Sequence, residues 1–229
     1  MPYYKNRRGR GYKKAKQQGG KRGRVYGAAA YQLWKDVKWL KSVINVEQKF
    51  HDRSSVLSAT ETMNNILING IAQGDTQTTR DGASIKVMRG IVSGYVEYNP
   101  LGNSAQTVRV VVVRRAQNAS SAPGVAINDI FEGPGTGAAA VTAFYNKVAM
   151  GGYHVLCDKK ITVNADYPRK YFKCYIRGGW HTKFTGSGGA VGDISNNNLH
   201  VLYVGDQTST NYPNFYNNIG IVTGKHFLG

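Results

Sequence analysis

Apolar residues alternate with polar ones through most of this 229-residue chain, and this period of two is the feature that most constrains its fold. Successive side chains of a strand point to opposite faces, so the alternation predicts β-strands. The segments concerned are rich in Val, Ile, Tyr, Phe and Thr and are separated by clusters of Gly, Asn, Ser and Pro. The eight predicted strands are residues 43–50, 85–98, 107–116, 153–164, 170–178, 180–184, 199–205 and 219–227.

Eight strands favour an all-β domain of two packed antiparallel sheets over residues 43–229. No repeat of fixed period is visible, which argues against a propeller or a solenoid. Long connections between the strands favour an eight-stranded jelly roll. The strand at 107–116 carries valines on both faces, so we expect both of its faces to be covered.

One short amphipathic helix is predicted ahead of the strands, over residues 28–42. Its apolar residues recur at helical spacing, while its charged residues lie away from this stripe or at its edge. The stripe consists of Ala30, Leu33, Trp34, Val37 and Leu40.

The first 24 residues hold ten cations and no acidic residue, whereas the rest of the chain holds 20 basic and 13 acidic residues. Few apolar groups are available there to offset the entropy of ordering, so residues 1–27 are predicted to form a disordered basic arm. The ten cations are Lys5, Arg7, Arg8, Arg10, Lys13, Lys14, Lys16, Lys21, Arg22 and Arg24.

The arm interleaves tyrosines with its cations, and this pattern favours binding to single-stranded nucleic acid. Cations hold phosphates, and aromatic rings stack on unpaired bases. A nuclear localisation signal and a merely solvated tail are the alternative interpretations, and the first is compatible with nucleic-acid binding. The interleaved rings are Tyr3, Tyr4, Tyr12 and Tyr26.

Enzymatic motifs are absent from the sequence: it contains no HExxH, no Gly-x-Ser-x-Gly and no phosphate-binding GxxxxGK[ST]. We therefore predict no catalytic residue and no cofactor. Cys157 and Cys174 alternate with apolar residues, which is typical of small core residues rather than zinc ligands. Asp193 and Asp206 are candidates for calcium at a subunit contact, but surface carboxylates are the simpler interpretation, so no metal site is predicted.

Neither an 18-residue apolar run nor a secretory signal is visible, which predicts an intracellular product with no membrane partner.

Three connections consist mainly of small residues, at 116–126, 133–140 and 186–198, and we expect them on an exposed face or between subunits. The polar run GDTQTTRDG at 74–82 is a further candidate subunit contact. Its charged residues are Asp75, Arg80 and Asp81, and we expect Arg80 to pair with Asp75 or with a neighbouring subunit.

Three sets of segments, taken in order, resemble the capsid proteins of circovirus-like, circular Rep-encoding single-stranded DNA (CRESS-DNA) viruses. They are also similar, more distantly, to capsids of small satellite viruses of plants. The match extends over most of the chain, although circoviruses proper have arms denser in arginine. The segments are LWKDVKWLKSVINVEQKFHD at 33–52, NGIAQGDTQTTRDGASIKVMRG at 69–90, and the series VRVVVVRRAQ, INDIF, FYN and YHVLCDKKITV between 108 and 163.

The resemblance implies a viral jelly roll whose copies assemble into a small icosahedral shell, with the basic arm directed inward to a single-stranded genome. It implies a virion protein that passes through the host nucleus, with a nuclear import receptor as a partner. A cellular single-stranded nucleic-acid-binding protein of ribosomal or nucleoid type is the alternative, because it would also explain the charge. A lectin-like or hydrolytic jelly roll is the weakest interpretation, because it leaves the charge unexplained.

Overall fold

The computed structural model describes residues 29–37, 48–102, 104–117, 124–133, 136–207 and 211–225. The chain divides into two units, Met1–Asn45 and Val46–Gly229. In the first unit, residues 29–37 form a helix, α1, inside the segment where apolar spacing predicts one. Tyr31 and Trp34 stack on α1 with their ring centroids 6.1 Å apart. The rest of the predicted helix and the arm, residues 1–27, lie outside the described residues.

The described part of the second unit contains eight β-strands and a few short helices. Two of these helices, α2 (Ile127–Ile130) and α3 (Gly137–Thr142), lie in the connection between the fourth and fifth strands. Among the described residues, no helix is long and apolar enough to cross a membrane. The strands are β1 (Gln48–Ser58), β2 (Asn64–Leu67), β3 (Ser84–Glu97), β4 (Gln106–Gln117), β5 (Tyr153–Val163), β6 (Arg169–Phe184), β7 (Ile194–Gly205) and β8 (Asn214–Lys225).

The strands form two layers, in the orders β1-β8-β3-β6 and β2-β7-β4-β5. All of these pairs are antiparallel. The layers belong to one folded sheet, because the end of β6 pairs with the start of β7. The main core lies between them, where Phe215 of β8 packs on Tyr203 of β7 with ring centroids 4.6 Å apart. This order is that of an eight-stranded jelly roll and confirms the predicted fold class.

Two predicted strands, 170–178 and 180–184, are one continuous strand, β6. The sequence separates them because Gly178 and Gly179 are typical of a turn. In the structure the pair lies in a β-bulge, opposite the point where the register of β3 shifts. A side chain at 178 would collide with the carbonyl oxygens of Val87 and Met88, and Gly179 has a φ of +112°. Both positions therefore require glycine.

The first two strands differ most from the prediction. β2 was not predicted, because it is four residues long and begins with two asparagines, which are rare in strands. β1 continues past the predicted end at residue 50 as far as Ser58. This continuation is largely polar, which suits a strand at the edge of the sheet, where the partner is β8.

Strand β4 is buried on both faces, as its valines predict. Val111 and Val113 pack in a second apolar cluster with residues of the connection that contains α2. The valines that face the main core are each 0% exposed, and they are Val108, Val110 and Val112.

Both cysteines belong to the main core, as predicted, and in addition they form a disulfide between the layers, which was not predicted. Cys157 lies in β5 and Cys174 in β6, with their Cα atoms 6.0 Å apart. The alternation of apolar residues turns each cysteine toward the core. It carries no information on which strands face each other, so the pairing could not be read from the sequence.

The connections made of small residues are partly structured. The segment 133–140 leads into α3, where Ala140 and Val141 pack against Val204. The segment 186–198 contains a 3₁₀ turn and the first residues of β7. Part of the segment 116–126 lies outside the described residues.

Candidate nucleic-acid interface

The ten cations predicted to bind nucleic acid belong to residues 1–24, outside the described residues. The role of this arm therefore stays a prediction. Among the described residues, cations and aromatic rings occur together on one surface of the second unit. The geometry of this surface is described below.

The predicted contact segment at 74–82 is a loop between β2 and β3. Asp75 is exposed on this loop. Asp81 accepts a hydrogen bond from Nζ of Lys49 in β1 at 2.8 Å, so one of its ion pairs lies within its own chain. A subunit contact through Asp75 and Asp81 stays a prediction.

Arg80 lies inside its own chain, so the predicted surface pairing of its guanidinium with Asp75 is wrong. Its side chain is 2% exposed, and Nε donates to the carbonyl oxygen of Ile71 at 3.0 Å. The terminal nitrogens donate to the carbonyl oxygens of Gly82 and Gly186. The guanidinium carbon also lies 4.1 Å from the ring centroid of Phe184. Arg80 therefore ties its own connection, between β2 and β3, to the connection between β6 and β7.

The outer side of the layer β1-β8-β3-β6 is exposed, and we call it the open face. Along β6, the residues of this face alternate between cations and tyrosines, and all are exposed. The residues that alternate with them on the inner side, Phe172, Cys174 and Ile176, lie in the main core. Members of the row follow each other at about 7 Å, twice the rise of a strand. The row is Arg169, Tyr171, Lys173, Tyr175 and Arg177.

Aromatic rings continue across the open face onto the neighbouring strands. Tyr95 of β3 stacks on Tyr216 of β8 with ring centroids 4.3 Å apart, and lies 5.5 Å from Tyr171. Tyr171 is 78% exposed and Tyr175 is 68% exposed. Exposed rings on a sheet offer stacking surfaces for unpaired bases.

Strand β6 carries five cations and no acidic residue. Among the described residues, one of the five forms an ion pair, between Nη2 of Arg169 and Oε1 of Glu97 at 2.6 Å. Lys159 and Lys160 of β5 add two cations where the edges of β5 and β6 meet, and a shallow cleft runs between them and β6. The five cations are Arg169, Lys170, Lys173, Arg177 and Lys183.

An apolar groove of about 690 Å³ lies on the open face, and Arg89 and Arg177 are among its lining residues. Asp52 of β1 is the acidic residue that lines it. The apolar side chains that line it from the open face are Phe50, Met88, Ile91, Tyr175 and Val222.

The outer side of the other layer is packed against the connection between β4 and β5, and we call it the covered face. Arg109 of β4 is 4% exposed there and holds Asp158 with both ends of its guanidinium, at 3.2 and 2.8 Å. Its third nitrogen donates to the carbonyl oxygen of Ala143 at 2.7 Å, and the hydroxyl of Tyr145 donates to Asp158 at 2.5 Å.

This buried cluster changes the titration of its members. Burial acts to raise the pKa of Asp158, but the hydrogen bonds from Arg109 and Tyr145 outweigh it and hold the pKa below its ordinary value. Burial, together with the bond to Asp158, raises the pKa of Tyr145 to about 12. On the covered face, the charge of Arg109 is therefore balanced by the carboxylate of Asp158.

His200 of β7 also lies on the covered face and is 0% exposed. Its Nδ1 is 2.7 Å from Oδ1 of Asn65. Burial lowers the pKa of His200 to about 4, with a smaller contribution from the charge of Arg115. The imidazole is therefore neutral at pH 7 and packs as part of the interior.

The two aspartates considered for calcium cap backbone groups of their own chain. Asp193 accepts from the N–H of Ala190 at 2.9 Å, and Asp206 accepts from the N–H of Thr107 at 2.9 Å. Within the described ranges, no three His, Cys, Asp or Glu side chains are grouped so that they could hold a metal ion.

Comparisons with known proteins give matches among solved structures alone, since no protein-family model and no curated protein matches the chain. A chain of desmodium yellow mottle tymovirus is similar at 6% identity and a TM-score of 0.33, over 80% of this chain and 90% of that chain. VP1 from the pentamer of human polyomavirus 6 is similar at 6% identity and a TM-score of 0.25, over 77% and 94% respectively. The jelly-roll assignment rests on the strand order and register described above.

The open face was not predicted, although its signal is present in the sequence. Between residues 169 and 177, every second residue is a cation or a tyrosine in strict alternation. Reading this segment for its apolar residues alone identifies the strand and overlooks the opposite face. The same combination of cations and tyrosines occurs in the arm, where it favours binding to single-stranded nucleic acid.

Proposed function

We propose that the chain is a viral capsid subunit that packages a single-stranded genome. The observation that carries this proposal is the row of cations and exposed tyrosines along β6, a strand without acidic residues. Cations that hold phosphates and rings that stack on bases bind single strands with little regard to sequence. The jelly-roll fold and the resemblance of the sequence to capsid proteins of CRESS-DNA viruses support the same function.

The basic arm would supply most of the charge for packaging. Sixty copies in the smallest closed icosahedral shell, of triangulation number T=1, would bring about 600 positive charges inward, enough to neutralise several hundred nucleotides. A circular single-stranded DNA is the genome that the resemblance favours. The same arm is suited to binding a host nuclear import receptor, so the chain would occur in the host nucleus during assembly and in the virion afterwards.

Assembly would depend on many moderate contacts per subunit. The connections made of small residues and the exposed part of the loop at 74–82 offer backbone and polar groups that tolerate water before assembly. Closed symmetry multiplies such contacts, because a subunit leaves the shell only by breaking several at once.

Electron microscopy and light scattering of the purified full chain, with and without single-stranded DNA, test the proposal. We expect closed particles of uniform size, promoted by nucleic acid because it relieves repulsion among the arms. A chain that stays monomeric at high concentration in both conditions, yet binds nucleic acid, would contradict the capsid function. The cellular nucleic-acid-binding protein would then take its place.

Deletion of residues 1–24 tests how much the arm contributes to the binding of single-stranded DNA. Because the described strands of the sheet all lie between Gln48 and Lys225, circular dichroism should be unchanged in the β region. The slope of log affinity for single-stranded DNA against log salt should flatten by about 7 at most, if all ten cations are engaged. Equal slopes for the intact and truncated chains would remove the arm from the mechanism.

A further inference from the structure

We propose that the groove on the open face is a nucleotide subsite, in which an unpaired base lies against the apolar side chains and its phosphate is held by Arg89 and Arg177. This inference rests on the proposed function, because it states how the folded unit holds the single strand. It adds a built site on the sheet to the contacts made by the arm.

The two arginines lie directly opposite each other on neighbouring strands. Arg89 of β3 pairs in register with Arg177 of β6, and both side chains are exposed. Among the described residues, neither forms an ion pair. Like charges placed directly opposite each other destabilise a sheet. A phosphate between them turns this repulsion into two charge-assisted contacts, and the guanidinium fork matches phosphate geometry.

The groove beside this pair is suited to a flat apolar group. Its apolar side chains are unusually exposed, with Phe50 at 55%, Met88 at 40% and Tyr175 at 68%. Its volume of about 690 Å³ lies within the range of about 300–1,000 Å³ that is typical of small-ligand clefts. Asp52 lies on β1, two strands away from β3, and among the described residues it forms no ion pair with either arginine. The groove is therefore lined by two cations and one acidic residue.

A β-bulge shapes the groove. The register of β3 shifts between Val87 and Arg89, so that Met88 and Arg89 are consecutive and both exposed. The opposite strand accommodates the bulge with Gly178, where a side chain would collide with the carbonyl oxygen of Met88. Bulges re-aim side chains and are frequent beside functional sites. Here the bulge places an apolar wall and a cation next to each other.

Photo-crosslinking locates the base. The full chain is irradiated with a single-stranded oligonucleotide that carries 5-iodo-2′-deoxyuridine, and the modified peptides are mapped by mass spectrometry. We expect crosslinks at Tyr175, Phe50 or Met88. Crosslinks confined to the tyrosines of the arm would overturn the subsite and leave the proposed function standing. A chain that does not bind the oligonucleotide at all would contradict the proposed function itself.

Matched variants separate the base from the phosphate. Tyr175→Leu should weaken binding of an intact oligonucleotide about tenfold and leave binding of an abasic one unchanged. Tyr167→Leu is the control, because Tyr167 is 67% exposed in the connection between β5 and β6 and should affect neither. Arg89→Gln and Arg177→Gln should each flatten the salt slope by about 0.7 with both oligonucleotides.

Circular dichroism checks that each variant is folded, and Tyr175→Phe provides a second test because it keeps the ring and should bind as the parent does. Equal losses for the intact and abasic oligonucleotides in Tyr175→Leu would overturn base stacking. Unchanged salt slopes in both arginine variants would overturn the phosphate contact.

Discussion

On the covered face, Arg109 is 4% exposed and its guanidinium is held by the carboxylate of Asp158. On the open face, Arg89 and Arg177 are exposed and lie opposite each other in register. A buried charge needs a partner, because removal from water is costly, whereas an exposed cation is stabilised by solvent. Arg109 therefore serves the fold, whereas Arg89 and Arg177 are not needed for it and can serve a ligand.

The largest expected effect separates the two kinds of arginine directly. Arg109→Met should lower the free energy of unfolding by about 3–5 kcal/mol, because it removes the cation that is paired with Asp158 and the donor to buried carbonyl oxygens. Arg177→Met, the matched exposed change, should stay within about 0.5 kcal/mol of the parent chain. Urea unfolding followed by circular dichroism measures both. Similar losses for the two variants would break the comparison.

The disulfide links the two layers, one of which carries the covered face and the other the open face. The bond closes a span of 17 residues, so its loss should cost about 3 kcal/mol. Urea unfolding with and without reductant measures this for the parent chain. The double variant Cys157→Ala, Cys174→Ala should be insensitive to reductant. Two free thiols in the unreduced, denatured chain would show that the bond does not form.

Sensitivity to acid should lie on the covered face. His200 binds a proton at its ordinary pKa of 6.5 when unfolded but only at about 4 when folded. The unfolded state therefore holds more protons between these values, and stability falls as pH drops from about 6.5 toward 4. The expected loss between pH 7 and pH 5 is about 2 kcal/mol. Burial lowers the pKa of His51 as well, which adds a change of the same sign.

Unfolding titrations at pH 7 and pH 5 test this expectation with two variants. His200→Gln should lose most of the pH dependence, because the titrating group is gone. His154→Gln should keep it, because that side chain is exposed on β5. A full dependence in His200→Gln would place the acid-sensitive group elsewhere.

Substitution of a cation on the open face should have the smallest effect on stability, but it should measurably change the binding of single-stranded DNA. Lys173→Gln should leave the unfolding free energy within about 0.5 kcal/mol and flatten the salt slope for single-stranded DNA by about 0.7. Lys147→Gln is the control, because Lys147 is exposed in the connection that covers the other layer. Equal slopes for the two variants would mean that the open face does not contact nucleic acid.

The sequence predicts the fold further than it predicts the site, and the reason is physical. A period of two reports which face of a strand is buried, and β4 shows that valines on both faces report burial on both. The same period says nothing of which strands are neighbours. The disulfide and the opposition of Arg89 and Arg177 follow from strand pairing alone, so neither could be found before the register was known.

Arg80 shows a second limit of the sequence. A charged residue between two aspartates in a polar run is typical of a surface turn, yet its guanidinium is buried because backbone carbonyl oxygens satisfy its donors. Such acceptors are present at every residue and leave no trace in the sequence. The signal on β6 differs, because alternating cations and tyrosines are visible once both faces of a strand are read.

The glycine pair in β6 has a consequence for how this chain can diverge over evolution. Position 178 admits no side chain, and position 179 has a backbone conformation that other residues rarely adopt. Loops can lengthen and surfaces can change charge while these two residues stay fixed, because the β-bulge of β3 opposite them depends on both. A pair of glycines that follows a row of alternating tyrosines and cations is therefore a mark by which distant relatives could be found after overall identity has faded.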